Sequence, residues 1–237
     1  MKFSFRRSDQ LTIRFACAAI FIVSVAVIVP LSACAQFLHP KVSGNQTTIR
    51  NVVILPAKVD VVRNSMKGPE GMAAESEAIS ARVEKTVADV LANQKKIMTV
   101  SGPEISSEGI GAQARYTVAD IQAKFDDLLP KLMKKRSDVK KGRFTMGDEV
   151  LNLNLDKSAD AIVFIRGQGQ KLTSGKTAFT LLVGGSPAFL KLQIGIVDAR
   201  TGEVLLYTDP IFGGDPTTAI DRLRKALEKG FKKLPGH

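Results

Sequence analysis

The stretch Leu190-Lys-Leu-Gln-Ile-Gly-Ile-Val-Asp198-Ala-Arg-Thr-Gly202-Glu-Val-Leu-Leu-Tyr207 decides the fold. Apolar residues at 190, 192, 194 and 196 alternate with small or polar ones, the two-residue period of a strand with one buried face. Asp198 can accept backbone N–H groups two residues on, and Gly202 supplies a positive φ. The spacing therefore predicts a β-hairpin that returns through residues 203–207. Upstream, Ala161-Ile-Val-Phe-Ile-Arg166 predicts a buried strand, followed by Gly167-Gln-Gly169. Downstream, Asp215-Pro216 opens a final helix with Ile220, Leu223, Leu227 and Phe231 on its buried side, and Lys229, Lys232 and Lys233 at its negative end.

The rest of the chain supplies partners for these elements. Asn51-Val-Val-Ile-Leu-Pro56 is a short apolar run ending at proline, the mark of a buried strand. It extends into Lys58 to Val62, where Val59 and Val61 alternate with charged residues, and Gly68-Pro69-Glu70-Gly71 breaks the chain. Ile79, Val83, Val87, Val90 and Leu91 recur at steps of four and three, one face of a helix. Residues 95–100 read as a second short strand, and 101–116 as a loop rich in Gly and Ser. Thr117-x-x-Asp120 is a capping-box pattern ahead of the stripe Val118, Ile121, Phe125, Leu128 and Leu132, in a helix that Pro130 should kink. Around 148–155 two readings stay open: Asp148 can cap a helix, while Leu151, Leu153 and Leu155 alternate like a strand. The order of elements predicts an α/β, or α+β sandwich, class: a mixed sheet of about five strands with helices packed on it, and a C-terminal hairpin followed by a helix.

Composition sets the outer bounds. The 237 residues are 44% hydrophobic and 24% charged, which excludes a disordered, collagen-like or multi-span membrane protein. There are 34 basic and 23 acidic residues, net +11, with two Cys, two His and no Trp. That leaves no disulfide framework and no metal-ligand spacing.

The N-terminus carries an address. Lys2, Arg6, Arg7 and Arg14 stand against Asp9 alone, then Phe15 to Leu31 holds no charge, and Leu31-Ser32-Ala33-Cys34 follows directly. The last four residues resemble the lipobox of bacterial lipoproteins, a family defined by its leader. The alternatives are a plain signal peptide, a membrane anchor, or a buried Cys. Cys17 does not compete, because Arg14 occupies the apolar leader ahead of it, and Asp9 spoils the twin-arginine pattern of Arg6-Arg7. The resemblance implies removal of residues 1–33, a diacylglycerol thioether on Cys34, and acylation of the new amino group. Ala35, rather than Asp, after the Cys implies the periplasmic face of the outer membrane, with the inner membrane as alternative. Losing the leader takes away four basic residues and one acidic one, leaving 30 against 22, net +8 over 204 residues. Outside the cytoplasm such a charge points to anionic lipid or acidic envelope polymers, not nucleic acid.

Residues 35–48 show no periodicity and contain Pro40 and Gly44, so 34–48 reads as the lipidated Cys and a tether, reaching about 50 Å stretched or about 20 Å as a flexible coil. Residues 49–237 then form one α/β domain. Three features, Val52-Val-Ile-Leu-Pro56, Ala159-Asp-Ala-Ile-Val163 and Val197-Asp-x-x-Thr201-Gly-Glu-Val204, make it similar to the small envelope domain of the TolB N-terminal part, the curli secretion lipoprotein and lipoprotein activators of penicillin-binding proteins. The resemblance covers about residues 50–233 and transfers no catalytic residue. It implies a non-catalytic module that binds an envelope protein or assembles with its own copies. A secretion-channel subunit and an activator of a cell-wall synthase are the alternatives.

Chemistry finds little support. Gly169 to Gly175-Lys176-Thr177 has one residue too many for a phosphate loop and no helix behind it, and Pro187 denies Ser186 an oxyanion N–H. His39 and His237, in the tether and at the last residue, are poor general bases. Asp126-Asp127 and Asp148-Glu149 are neighbours on a chain, not facing pairs. The expectation is no enzyme, no cofactor and no metal. One charged stretch stands out: Lys131, Lys134, Lys135, Arg136, Lys140, Lys141 and Arg143 against Asp138 alone. It reads either as a solvated helix end or as a contact for a partner or membrane surface, where each residue near an anionic leaflet contributes about 1 kcal/mol.

Overall fold

The predicted hairpin is the spine of one mixed sheet. In the computed structural model, which describes residues 35–65, 67–100, 117–147, 150, 153, 155, 158–172, 188–215 and 217–236, nine strand segments belong to it. They are β1 (Gln36–Leu38), β2 (Asn51–Ile54), β3 (Lys58–Ser65), β4 (Gly68–Gly71), β5 (Met98–Thr99), β6 (Ala161–Leu172), β7 (Ala188–Asp198), β8 (Val204–Thr208) and β9 (Ile211–Gly213). The main path runs β1-β8-β7-β6-β2-β5, with β3 on β6, β4 on β3 and β9 on β7. β2, β3 and β5 join by parallel pairings, whereas β6, β7, β8, β9 and β1 form an antiparallel half.

The helices are α1 (Pro40–Ser43), α2 (Ala73–Lys95), α3 (Val118–Lys134) and α4 (Ile220–Gly230), with a 3₁₀ turn over Arg136–Lys141. One core layer lies under α2 and α4 and takes Val59, Val61, Ile79, Val83, Val87, Ile165, Ile194, Ile196, Leu223 and Leu227. The other lies under α3 and the 3₁₀ turn and takes Val53, Ile121, Phe125, Leu132, Val139, Phe164, Val197 and Tyr207. Alternation along β6 and β7 divides the residues between the two faces.

The turn chemistry is as the sequence indicates. Asp198 Oδ1 accepts from the N–H groups of Arg200 (2.8 Å) and Thr201 (2.9 Å), and Gly202 has φ +71°. A Cβ on Gly202 would lie 2.4 Å from the Gly147 carbonyl oxygen. The capping box of α3 also forms: Thr117 Oγ1 accepts from Asp120 N–H, and the Asp120 carboxylate accepts from Thr117 N–H.

Five expectations need correction. The sheet has more segments than five, because Gly68–Gly71 pairs with β3 instead of merely ending it, and three-residue pieces add β1 and β9. Of 95–100, only Met98–Thr99 is strand; α2 continues through Lys95. β6 runs on through Gly167 and Gly169 to Leu172, since the missing side chains make room for Val59, Val61, Leu190 and Leu192. Ile220 is 46% exposed, while Phe231 beyond the helix end is buried. Finally, 35–48 is no tether. Gln36–Leu38 pairs with Leu206–Thr208, and His39 and Val42 are buried. Three residues of strand are too few to show a period, so the sequence pattern passes them over. The loop 101–116, the glycine-rich segment 173–187, Asp148, Glu149, Pro216 and His237 lie outside the described residues, as do the leader and Cys34.

Candidate functional site

The first residues after Cys34 and the basic stretch meet in space. α3 ends at Lys134, the 3₁₀ turn follows, and Val139 from that turn is fully buried against the sheet. Burial of Val139 fixes the turn on β1 and β8 and leaves its charged residues outward. Phe37 of β1 faces them: the Arg136 guanidinium lies 5.9 Å and the Lys140 ammonium 5.6 Å from its ring centroid, both within cation–π range. Gly142 closes the turn at φ +63°, so close to His39 that a Cβ there would sit 2.6 Å from His39 Nε2.

Asp209, just past β8, ties the pieces together. Its Oδ2 accepts from Arg136, while its buried Oδ1 has no hydrogen-bond partner among the described residues. Burial raises the Asp209 pKa above the usual carboxylate value, with Arg136, Lys191 and the backbone N–H groups opposing. The neighbouring Tyr207 hydroxyl is buried with no hydrogen-bond partner among the described residues, and burial, then the Asp209 charge, pushes its pKa up. Lys41 of α1 pairs with Glu203 in the hairpin turn, which lowers the Glu203 pKa. His39 Nδ1 accepts from Lys41 N–H (3.2 Å) as the cap of α1. Burial lowers the His39 pKa despite the nearby Glu203.

All seven predicted basic residues are exposed. Arg136 is committed to Asp209 and Lys141 to Asp138 at 3.3 Å. Lys131, Lys134, Lys135, Lys140 and Arg143 have no ion-pair partner among the described residues, and Lys140 spends its charge on the Phe37 ring. The structure therefore divides the stretch into two residues held by carboxylates and five that are not. Phe37, Lys41 and Asp209 complete this region without having been singled out from the sequence, together with His39, read there only as a poor general base, and Glu203, read only as part of the hairpin.

A second concavity of about 300 Å³ opens between α3 and the sheet, lined by Lys58, Asp60, Asp126, Met133, Arg166 and Gln193 among others. Arg166 is 8% exposed and makes four hydrogen bonds: Asp126 takes Nε and Nη2, the Gln122 carbonyl accepts from Nη2 (3.2 Å) and the Ile165 carbonyl from Nη1 (3.0 Å). Asp126 thus pairs with Arg166 and not with Asp127. Asp160, part of the family-like segment, accepts from Arg50 N–H (2.9 Å) and Asn51 N–H (3.1 Å), a structural use that sets the start of β2. Among the described residues no group of three or more His, Cys, Asp or Glu is placed to hold a metal ion, and no helix is long and apolar enough to cross a membrane.

No protein-family profile and no curated protein sequence matches the chain. Solved structures with a related layout include the PelC dodecamer from Paraburkholderia phytofirmans, 8% identical over 79% of this chain and 90% of that one, at a TM-score of 0.37. The LpoB C-terminal domain from Salmonella enterica is 12% identical over 75% of this chain and 96% of that one, at 0.28. Lipoprotein GNA1162 from Neisseria meningitidis is 11% identical over 71% and 84%, at 0.29.

Proposed function

We propose that the chain is a non-catalytic lipoprotein of the bacterial envelope, anchored through Cys34 to the periplasmic face of the outer membrane, and serving as a protein-binding or assembly module. The observation that carries the reading is Leu31-Ser32-Ala33-Cys34 at the end of an uncharged run, with the paired strand Gln36–Leu38 starting two residues after it. A lipid on Cys34 joins a folded body with no spacer. Two or three acyl chains on one residue hold essentially permanently, since each buried CH₂ contributes about 0.8 kcal/mol. Of the polar groups that line the α3 cleft, Arg166 and Asp126 are engaged with each other.

The experiment is crosslinking in living cells, followed by purification of the processed chain and identification of what it captures. A defined envelope protein, or a ladder of the chain's own copies, supports the module. Recovery of neither above the level seen with an unrelated lipoprotein contradicts it.

A further inference from the structure

The geometry points to the exposed basic surface around the 3₁₀ turn resting on the anionic phospholipid headgroups of the same bilayer that holds the anchor, which fixes the orientation of the domain. This inference rests on the lipid-anchor reading above.

Gln36 pairs with Thr208 in the β1–β8 ladder, and the adjoining Asp209 accepts from Arg136. Cys34 precedes Gln36 by two residues, a reach of at most about 7 Å along the chain. Lipid chains on its sulfur must therefore enter the membrane beside Arg136, and no tether lifts this end of the domain away. Phe37, adjacent in sequence, already carries Arg136 and Lys140 over its ring. Lys134 and Lys135 immediately precede Arg136, and Lys131 lies one helical turn earlier. Anchoring this end brings these charges to the membrane surface, inside the Debye length of about 8 Å over which a negative leaflet acts at physiological ionic strength.

The charge accounting agrees. The two basic residues that meet carboxylates, Arg136 and Lys141, keep the turn and the chain start in place, while Lys131, Lys134, Lys135 and Arg143 meet none among the described residues. An acidic protein would compete for a surface that the anchor already presses against lipid. Headgroup phosphates need no shaped pocket.

The test uses the processed full-length chain, reconstituted into vesicles of phosphatidylcholine alone and of phosphatidylcholine with phosphatidylglycerol. Each lysine is scored with an amine-reactive label and peptide mass spectrometry. The expected result is about threefold or greater protection of Lys131, Lys134 and Lys135 when anionic lipid is present, relieved by high salt. Lys85 and Lys225, on the helices of the opposite sheet face, should label equally in both vesicles. Equal labelling of the three patch lysines in both vesicle types overturns the inference, and so does protection that arises only when envelope proteins are added. If the chain proves to bear no lipid, its mass shows this independently. The same labelling with added vesicles then decides the surface alone: protection by phosphatidylglycerol retains it, and none overturns it.

Discussion

His39 is a buried imidazole whose Nδ1 must be unprotonated to accept the Lys41 N–H. Protonation turns that acceptor into a donor and removes the cap. With the folded pKa lowered by burial, the unfolded chain binds more protons between the folded value and the ordinary 6.5. Stability therefore rises with pH across that window; the contribution is complete above 6.5 and is lost as pH falls toward the folded pKa. Urea unfolding should show the native chain losing stability on acidification, by an amount on the order of the ~1 kcal/mol that a side-chain cap contributes. H39N, which caps without titrating, should flatten that part of the profile. Gly195 makes a different demand. It faces Phe164 across β6, and Phe125 of α3 stacks on Phe164 at 4.6 Å in the space above it. A Cβ on Gly195 would lie 2.6 and 2.8 Å from the Phe125 ring. G195A should cost about 1–3 kcal/mol in chemical denaturation, because the ring has to shift with its helix.

Among the elements, α2 covers the part of β3 that β4 leaves open. Ser76, Ser80 and Glu84, one helical turn apart, accept from the N–H groups of Val61 (2.9 Å), Val59 (3.0 Å) and Ala57 (3.3 Å). Three side chains at helical pitch thus occupy the donors of an otherwise open strand edge, which also keeps it from pairing with a second chain. Replacing Ser76 and Ser80 together by Ala should cost about 1–3 kcal/mol for each donor left unsatisfied. Light scattering should also show faster aggregation on partial unfolding.

The same elements show what is readable in the residues themselves. The hairpin, α2 and α3 announce themselves because their periods run over many residues and their turn and cap side chains act locally: Asp198, Gly202, Thr117, Asp120. The stripe 76, 80, 84 is polar and looks like ordinary helix surface until β3 is set beside it. β1, β4 and β9 are too short to carry a period and owe their existence to the strands they join. The basic stretch was plain in the sequence. Its adjacency to Gln36 was not, since it depends on Asp209, Arg136 and Phe37, residues 73 to 172 positions apart on the chain.

At the scale of the molecule, the folded body takes in β1 and α1 ahead of Ile49. A chain started at Ile49 forfeits β1, α1, and the burial of Leu38 and Val42, which are 9% and 1% exposed. Fully burying such side chains contributes about 1.5–3 kcal/mol each, so the shortened domain should unfold at distinctly lower urea than one starting at Ala35. Equal midpoints would mean that 35–48 is a tether after all.

The central claim is that a lipid on Cys34 holds this body directly against its membrane. The most direct measurement is the intact mass of the processed protein purified from bacterial membranes, beside that of C34A. The account predicts a native polypeptide beginning at Cys34 and heavier than its 204 residues by its acyl groups, and a C34A chain that carries none and is not cut before residue 34. A native chain with the mass of the bare amino acids, recovered in the aqueous fraction, would contradict it.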